Sequence, residues 1–357
     1  MARVVVTGVG VVTGAVTGGR EQVRAFLASS GAPALRIPGS ALLGLVDEGE
    51  ARRLSRVCQL SVAAARIALA DAGLGPDPCP GLGLVIGAEF GDLRSTIEFV
   101  NGYLCRGPGG LSALLFPNTV MNTMAATTAI AVAARGLSLT LNAPTVAGEL
   151  AIARAVAAVR SGRVEAVLAG GVDEIDPFLA ELLVEAGATS ETRGEGAGFV
   201  LLESLDGAHA RGARVLGEIA GVAWRALRAR PYRVGRGTDS RAIAAALDEA
   251  DAAPGDLGRV WISASGDGPR DRWEQAILEK ALQPARPQQT ALVPRVGRHS
   301  GLGALAVAAA ALDDAARPAL VHAIARGGTH VALVVRGQGA PGSQRVSGHP
   351  RVSGHPQ

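Results

Sequence analysis

The sequence predicts an α/β protein whose sheets are covered by helices. Three observations predict it. Short apolar runs alternate with longer helical segments along the chain, the order that builds parallel sheets packed under helices. Several helical segments, residues 147–158 and 304–311 above all, consist mostly of Ala, Gly and Val, which permits the close backbone approach of a buried central layer. The 357 residues are 48% hydrophobic but only 3% aromatic, enough for a large core that small interlocking side chains must fill.

In chain order, strands are expected over residues 3–7, 82–87, 137–141, 164–169, 198–203, 216–222, 259–264, 289–293 and 331–335. Helices are expected over residues 20–28, 53–72, 120–134, 148–160, 240–253, 272–282 and 302–315. The opening Val4-Val-Val-Thr-Gly-Val-Gly10 reads as a strand entering a turn. Gly8, Gly10 and Gly14 are spaced one residue too widely for a dinucleotide fingerprint. No helix starts at once, and no strand ending in Asp or Glu follows about 20 residues on, so a structural turn is expected. One element points to chemistry. The strand at 137–141 runs into a tight turn at Pro144-Thr145, and a small-residue helix follows from about Gly148. Strand, turn, helix is how α/β enzymes present a nucleophile, and a helix N-terminus favours a thiolate there. Thr145 occupies that place. Its hydroxyl stays protonated at neutral pH unless a base activates it, and no base is evident nearby.

Five segments resemble the β-ketoacyl synthases of the thiolase-like superfamily, with a match from Met1 to about Gly337. They are Val4-Val-Val-Thr-Gly-Val-Gly-Val-Val, Arg53-Leu-Ser-Arg-Val-Cys-Gln-Leu, Phe116-Pro-Asn-Thr-Val-Met-Asn-Thr-Met-Ala125, Val167-Leu-Ala-Gly-Gly-Val-Asp173 and Gly194-Glu-Gly-Ala-Gly-Phe-Val-Leu-Leu-Glu203. The last is the most specific. The resemblance implies two similar βαβαβ halves in an αβαβα five-layer arrangement, at residues 1–205 and 206–337. It also implies that Asp173, Glu174, Asp176, Glu195 and Glu203 are structural and that no metal is held there.

The departures all fall on the chemistry. Thr145 stands at the position of the family's catalytic Cys. The loop of the first catalytic His reads Ser265-Gly-Asp-Gly-Pro-Arg-Asp-Arg-Trp-Glu274, with Ser265 at the His position. The loop of the second reads Gly297-Arg-His-Ser-Gly-Leu-Gly-Ala304. Anchoring on Gly297 puts Arg298 at the His position; anchoring on Gly303-Ala304 puts Ser300 there. Neither places His299 in it. The Phe of the late gate becomes Arg326 in Ala325-Arg-Gly-Gly328. His209, His322 and His330 lie outside these loops. Groups that act as a unit are nearly all-or-none, and loss of one costs about 10⁴ to 10⁶ in rate. Independent condensation is therefore not expected.

This set of replacements resembles the chain-length factors of bacterial type II polyketide synthases. That implies a heterodimer with an active ketosynthase-alpha subunit, which supplies the Cys and both His, and service to an acyl carrier protein bearing the polyketide chain. The segment 114–124 would then narrow the tunnel, with Phe116, Thr119, Met121 and Met124 as wall candidates. Thr145 in place of the Gln usual in aromatic systems, together with the short chain, points to a reduced polyene product. Two alternatives stay open: a hydrolase or decarboxylase using Thr145 and His299, and a purely structural ketosynthase partner.

No cofactor is expected. The absence of a signal-peptide pattern or an uncharged apolar run of about 18 residues points to a cytoplasmic protein and no membrane. Cys58, Cys79 and Cys105 are odd in number and widely spaced, which argues against disulfides and zinc. The net charge is +3, carried almost wholly by Arg; Lys280 is the sole Lys. Arg225, Arg228, Arg230, Arg233, Arg236 and Arg241 form the densest basic run. With only Trp224 and Tyr232 among them, nucleic acid is not expected. A solvated loop is the plainer reading, and steering of an acidic carrier protein the alternative. Residues 338–357 repeat Arg-Val-Ser-Gly-His-Pro and read as a disordered tail; His349 and His355 have no ligand set around them.

Overall fold

The computed structural model describes residues 2–75, 81–185, 191–230, 232–313 and 316–338. Cys79, His349, His355 and all but the first residue of the expected tail lie outside them. The strands are β1 (Val4–Thr13), β2 (Thr17–Gly18), β3 (Gly83–Ala88), β4 (Ser138–Asn142), β5 (Ala166–Asp173), β6 (Gly196–Ser204), β7 (Gly217–Ala226), β8 (Arg259–Ile262), β9 (Gln288–Ala291), β10 (Ala319–Ile324) and β11 (Thr329–Gly337). The α-helices are α1 (Arg20–Ala28), α2 (Glu48–Ala51), α3 (Arg56–Asp71), α4 (Leu93–Arg106), α5 (Thr123–Ala131), α6 (Ala147–Arg160), α7 (Pro177–Glu185), α8 (Leu205–Ala210), α9 (Arg241–Glu249), α10 (Gly268–Leu282), α11 (Val293–Val296) and α12 (Leu302–Ala311).

The strand order is β4-β3-β5-β6-β1-β7-β11-β10-β8-β9, with β2 paired to β1. Read outward from the β1–β7 junction, both sides give first, fifth, fourth, second and third strand of their half. One topology thus occurs twice, the two-half arrangement that the resemblance implies. Val5 and Val6 pair with Glu218 and Gly217 and join the halves into one sheet. Helices α6 and α12 pack on each other and on strands of both halves; α3 covers β1 and β6, and α9 covers β7 and β11.

The sheet is mixed, which corrects the expectation of parallel sheets. The pairs β3–β4, β3–β5, β8–β9 and β8–β10 are parallel, but β5–β6, β1–β6, β7–β11 and β10–β11 are antiparallel. The reason is local. Strands β10 and β11 form a tight hairpin, turned by Gly327 and Gly328 at φ of 92° and 94°. The expected turn at Gly8–Gly14 is confined to its end: β1 continues through Gly8 and Gly10, buried at every residue, with a register shift against β6 between Val6 and Gly8, and the chain turns only at Gly14 and Ala15, into β2. Gly8 and Gly10 serve packing. A Cβ on Gly8 would stand 2.3 Å from the Ala68 carbonyl oxygen, and one on Gly10 2.1 Å from that of Ala64, so α3 lies directly on the strand.

The same device sets the site. A Cβ on Gly148 would stand 2.0 Å from the Ser300 carbonyl oxygen, and one on Gly303 2.8 Å from the Glu149 nitrogen. The starts of α6 and α12 therefore touch, which brings the Thr145 turn against the 297–303 loop.

Candidate functional site

Strand β4 delivers the chain to Thr145, whose φ is +65°, and α6 begins two residues later. A β-branched residue in the left-handed region is costly, and such strain collects at presenting turns. The nucleophile geometry therefore persists with a hydroxyl in it. Thr145 lines a cavity of ≈ 20 Å³ with Glu149, Ser263, Arg298 and His322. That is room for about one water. Glu149, in the first turn of α6, is buried and its Oε2 has no partner; burial pushes its carboxyl up to about 7.

The positions expected for the imidazoles are built into a buried polar cluster. The Ser265 N–H donates to Asp271 at 3.2 Å, and its hydroxyl donates to Glu191 at 3.2 Å and accepts from Arg270 at 2.9 Å. Arg270, 1% exposed, also donates to the Ser263 and Ile324 carbonyls, at 2.6 and 2.9 Å. Arg298 forms ion pairs with Glu89 at 2.6 Å and Glu191 at 2.5 Å, and Arg193 pairs with the same two carboxylates at 3.3 and 3.0 Å. Burial works against the Arg298 charge, but Glu89 and Glu191 outweigh it and leave the pKa raised. Burial likewise opposes ionisation of Glu191, yet Arg298 and Arg193 hold its carboxyl below the usual range.

Of the two anchors in the 297–304 loop, Arg298 is the one that faces the elbow cavity. Ser300 is turned away: its N–H and hydroxyl donate to Asp173 Oδ2 at 2.7 and 2.5 Å. His299 does not line the elbow cavity. Its ring lies on Gly196, where a Cβ would come within 2.8 Å of Cε1, and neither ring nitrogen has a partner. Burial, and then Arg298, push its pKa down to about 3, so it is a neutral core group. The gate position Arg326 is tied bidentately to Asp267 at 2.5 and 2.7 Å, and Asp267 caps α10.

Sequence reasoning missed several members of this site, Glu89, Glu149 and Glu191 among them. His322, set aside because it lies outside the catalytic loops, projects from β10 into the elbow cavity. Its Nδ1 stands 2.9 Å from Glu274 Oε1 and its Nε2 3.4 Å from His330 Nδ1. Glu274 also accepts from Ser263, and Arg270 completes the cluster. The Asp271-Arg-Trp-Glu274 spacing was the available signal for Glu274; overlooking β10 hid His322.

The wall candidates divide. Phe116 is 57% exposed and packs obliquely on Phe99, ring centroids 6.0 Å apart. Thr119 is half-buried, its hydroxyl donating to the Phe116 carbonyl at 2.8 Å. Met121 is exposed beside Gly91, whereas Met124 is fully buried beneath them in the core. Leu114, Ile130, Phe178 and Leu182 are exposed as well. A second cavity, of ≈ 480 Å³, is lined by Phe90, Ile175, Leu179, Val184, Arg193 and Arg298 among others. The acidic residues are engaged: Asp173 accepts from the Glu89 N–H at 2.8 Å, Glu195 from that of Ile37 at 2.7 Å, and Glu203 pairs with Arg211 at 2.6 Å. Burial, then Asp92, push the Glu174 carboxyl up to about 7. Among the described residues no group of three or more His, Cys, Asp or Glu could hold a metal, and no helix is long and apolar enough to cross a membrane.

A family model, β-ketoacyl synthase N-terminal domain, matches residues 40–208. A polyketide beta-ketoacyl synthase 1 of Streptomyces virginiae is 33% identical over 297 residues, which cover 74% of this chain and 70% of that protein. A granaticin polyketide beta-ketoacyl synthase 1 of Streptomyces violaceoruber is 29% identical, covering 87% of this chain and 85% of its own. Among solved structures, the ishigamide ketosynthase/chain length factor superposes with a TM-score of 0.82 at 23% identity, over 94% of this chain and 99% of that one. A type II acyl-carrier protein complex with its ketosynthase gives 0.81 at 19% identity, with the same coverage. Fold, elbow and matched segments agree, and the chain belongs to the β-ketoacyl synthase family.

Proposed function

We propose that this chain is a non-catalytic chain-length factor. It pairs with an active ketosynthase-alpha subunit and shapes the tunnel in which a polyketide grows on its acyl carrier protein. One observation carries the proposal: all three positions that do the chemistry are replaced, by Thr145, Ser265 and Arg298, while the surrounding fold is kept. Condensation needs a thiolate to carry the acyl chain and two imidazoles to promote decarboxylation; no thiol stands at the elbow, and among the described residues the one imidazole lining its cavity, His322, comes from β10 rather than from either expected loop and is tied to Glu274. The names of the superposed structures, a ketosynthase/chain length factor and a ketosynthase with its carrier protein, support the choice of partners. The exposed Phe116, Met121 and Leu114 supply the apolar surface such a pairing needs. The division into ketosynthase-like halves at residues 205 and 206, a cytoplasmic location and a reduced polyene product belong to the same reading; the last rests on Thr145 and the short chain.

Chain length is set sterically. A growing chain that meets the wall must bend or overpack, which costs roughly 1–3 kcal/mol. Phe116, Thr119 and Met121 form the wall, and Met124 supports it from the core. Phe116→Ala in the assembled complex is expected to lengthen the product by one or two extension units. Unchanged product length with an intact complex removes Phe116 from the wall, and the same result across the segment leaves a purely structural partner. Against the independent hydrolase, His299 does not line the cavity that Thr145 lines.

A further inference from the structure

The elbow cavity and the larger apolar cavity are separate, and among the described residues Arg298 is the sole one that lines both. Its guanidinium is gripped by Glu89 and Glu191 at 2.6 and 2.5 Å. Its backbone is fixed too: the N–H donates to the Thr192 carbonyl at 2.8 Å, and the carbonyl accepts from Gly194 at 3.1 Å. Behind it, Thr145 keeps the φ of +65° that presents a side chain. The presenting turn is thus intact but stands behind a barrier, in a space of only ≈ 20 Å³.

We infer that Arg298 is a specificity-determining plug, closing the route from the ≈ 480 Å³ cavity to the elbow and denying acyl chains access to residue 145. Swinging the plug aside would leave two carboxylates buried with half their countercharge, a costly arrangement. An alkyl chain offers those carboxylates nothing in exchange. The elbow is therefore sealed as well as stripped of its nucleophile. This goes beyond the chain-length proposal and holds whichever partner the chain takes.

The test places a reporter thiol at the elbow. The Thr145→Cys chain, in its native assembly, is treated with N-ethylmaleimide and labelling is followed peptide by peptide by mass spectrometry. Exposed Cys105 is the fast reference, and buried Cys58 reports folding. A thiol at a helix N-terminus reacts readily when it is reached, so slow labelling reports access. The elbow thiol is expected to label at least about 100-fold more slowly than Cys105, as protected groups do. Adding Arg298→Ala with Glu191→Gln removes one charge of each sign and leaves Arg193 paired with Glu89. This is expected to bring the rate within about tenfold of Cys105. If Cys58 becomes reactive, the variant has unfolded and Arg298→His, shorter but still able to face Glu89, replaces it. Fast elbow labelling in the single variant overturns the plug. So does continued protection in a folded variant that lacks Arg298. Co-purification with the ketosynthase is read separately, so failure of the pairing and failure of the plug are distinguishable.

Discussion

Glu149 stands one turn beyond Thr145, and its carboxyl has lost its water without gaining a full set of partners. Its pKa is pushed up to about 7 from an ordinary 4.5, so the folded state favours the neutral acid. The contribution to stability is complete below about pH 4.5 and is lost as pH rises through about 7, because the unfolded chain ionises first. Glu149→Gln is therefore expected to stabilise the protein by about 1–3 kcal/mol at pH 8 and to change little near pH 4. Urea unfolding at the two pH values checks this; equal effects at both would contradict it. His299 works from the other side. Held near 3 by burial and then Arg298, it contributes stability above about 6.5 that is lost as pH falls toward 3. At this scale the sequence offers Thr145, Ser265 and either Arg298 or Ser300 at the positions where the family resemblance expects the catalytic groups, and only the fold shows Arg298 rather than Ser300 facing the elbow cavity. What these residues pair with is not legible in the sequence. The pairing of Arg298 with Glu89 and Glu191 joins residues far apart in the chain, and only the fold reveals it.

At the scale of elements, each of the nine expected strands and seven expected helices has a counterpart, displaced by a few residues at its ends. The apolar runs made them visible. Strand β10 was missed because its Ala-Leu-Val-His-Ala-Ile run carries a polar residue in its middle. That His322 serves the site and breaks the hydrophobic pattern for that reason. Helices α4 and α7 were missed as well. They leave Val100, Tyr103, Leu104, Phe178 and Leu182 exposed, so they pack less against their own chain than the central helices do. The glycines of β1 were read as a turn when they are a seat for α3. Gly10→Ala would drive a methyl group within 2.1 Å of the Ala64 carbonyl oxygen, and no flexible side chain stands there to yield. A loss of about 3 kcal/mol is expected, read as a lowered urea midpoint or as insoluble protein. An unchanged midpoint would show that α3 can shift.

The whole molecule pairs a sealed elbow with an unusually apolar outer face. The core is closed by small residues: α12 is buried along almost its full length, and both halves pack on it and α6. Among the described residues nothing covers Leu114, Phe116, Met121 and Ile130, with Leu114 at 89% and Ile130 at 82% exposed. A monomer in water rarely leaves many large apolar side chains this exposed. In the proposed complex that face meets the ketosynthase. The measurement that tests this most directly is native mass of the chain made alone and made together with a type II ketosynthase-alpha subunit. A stable one-to-one complex, with the lone chain aggregating or poorly soluble, is the expected result. A well-behaved homodimer that ignores the ketosynthase would contradict the account.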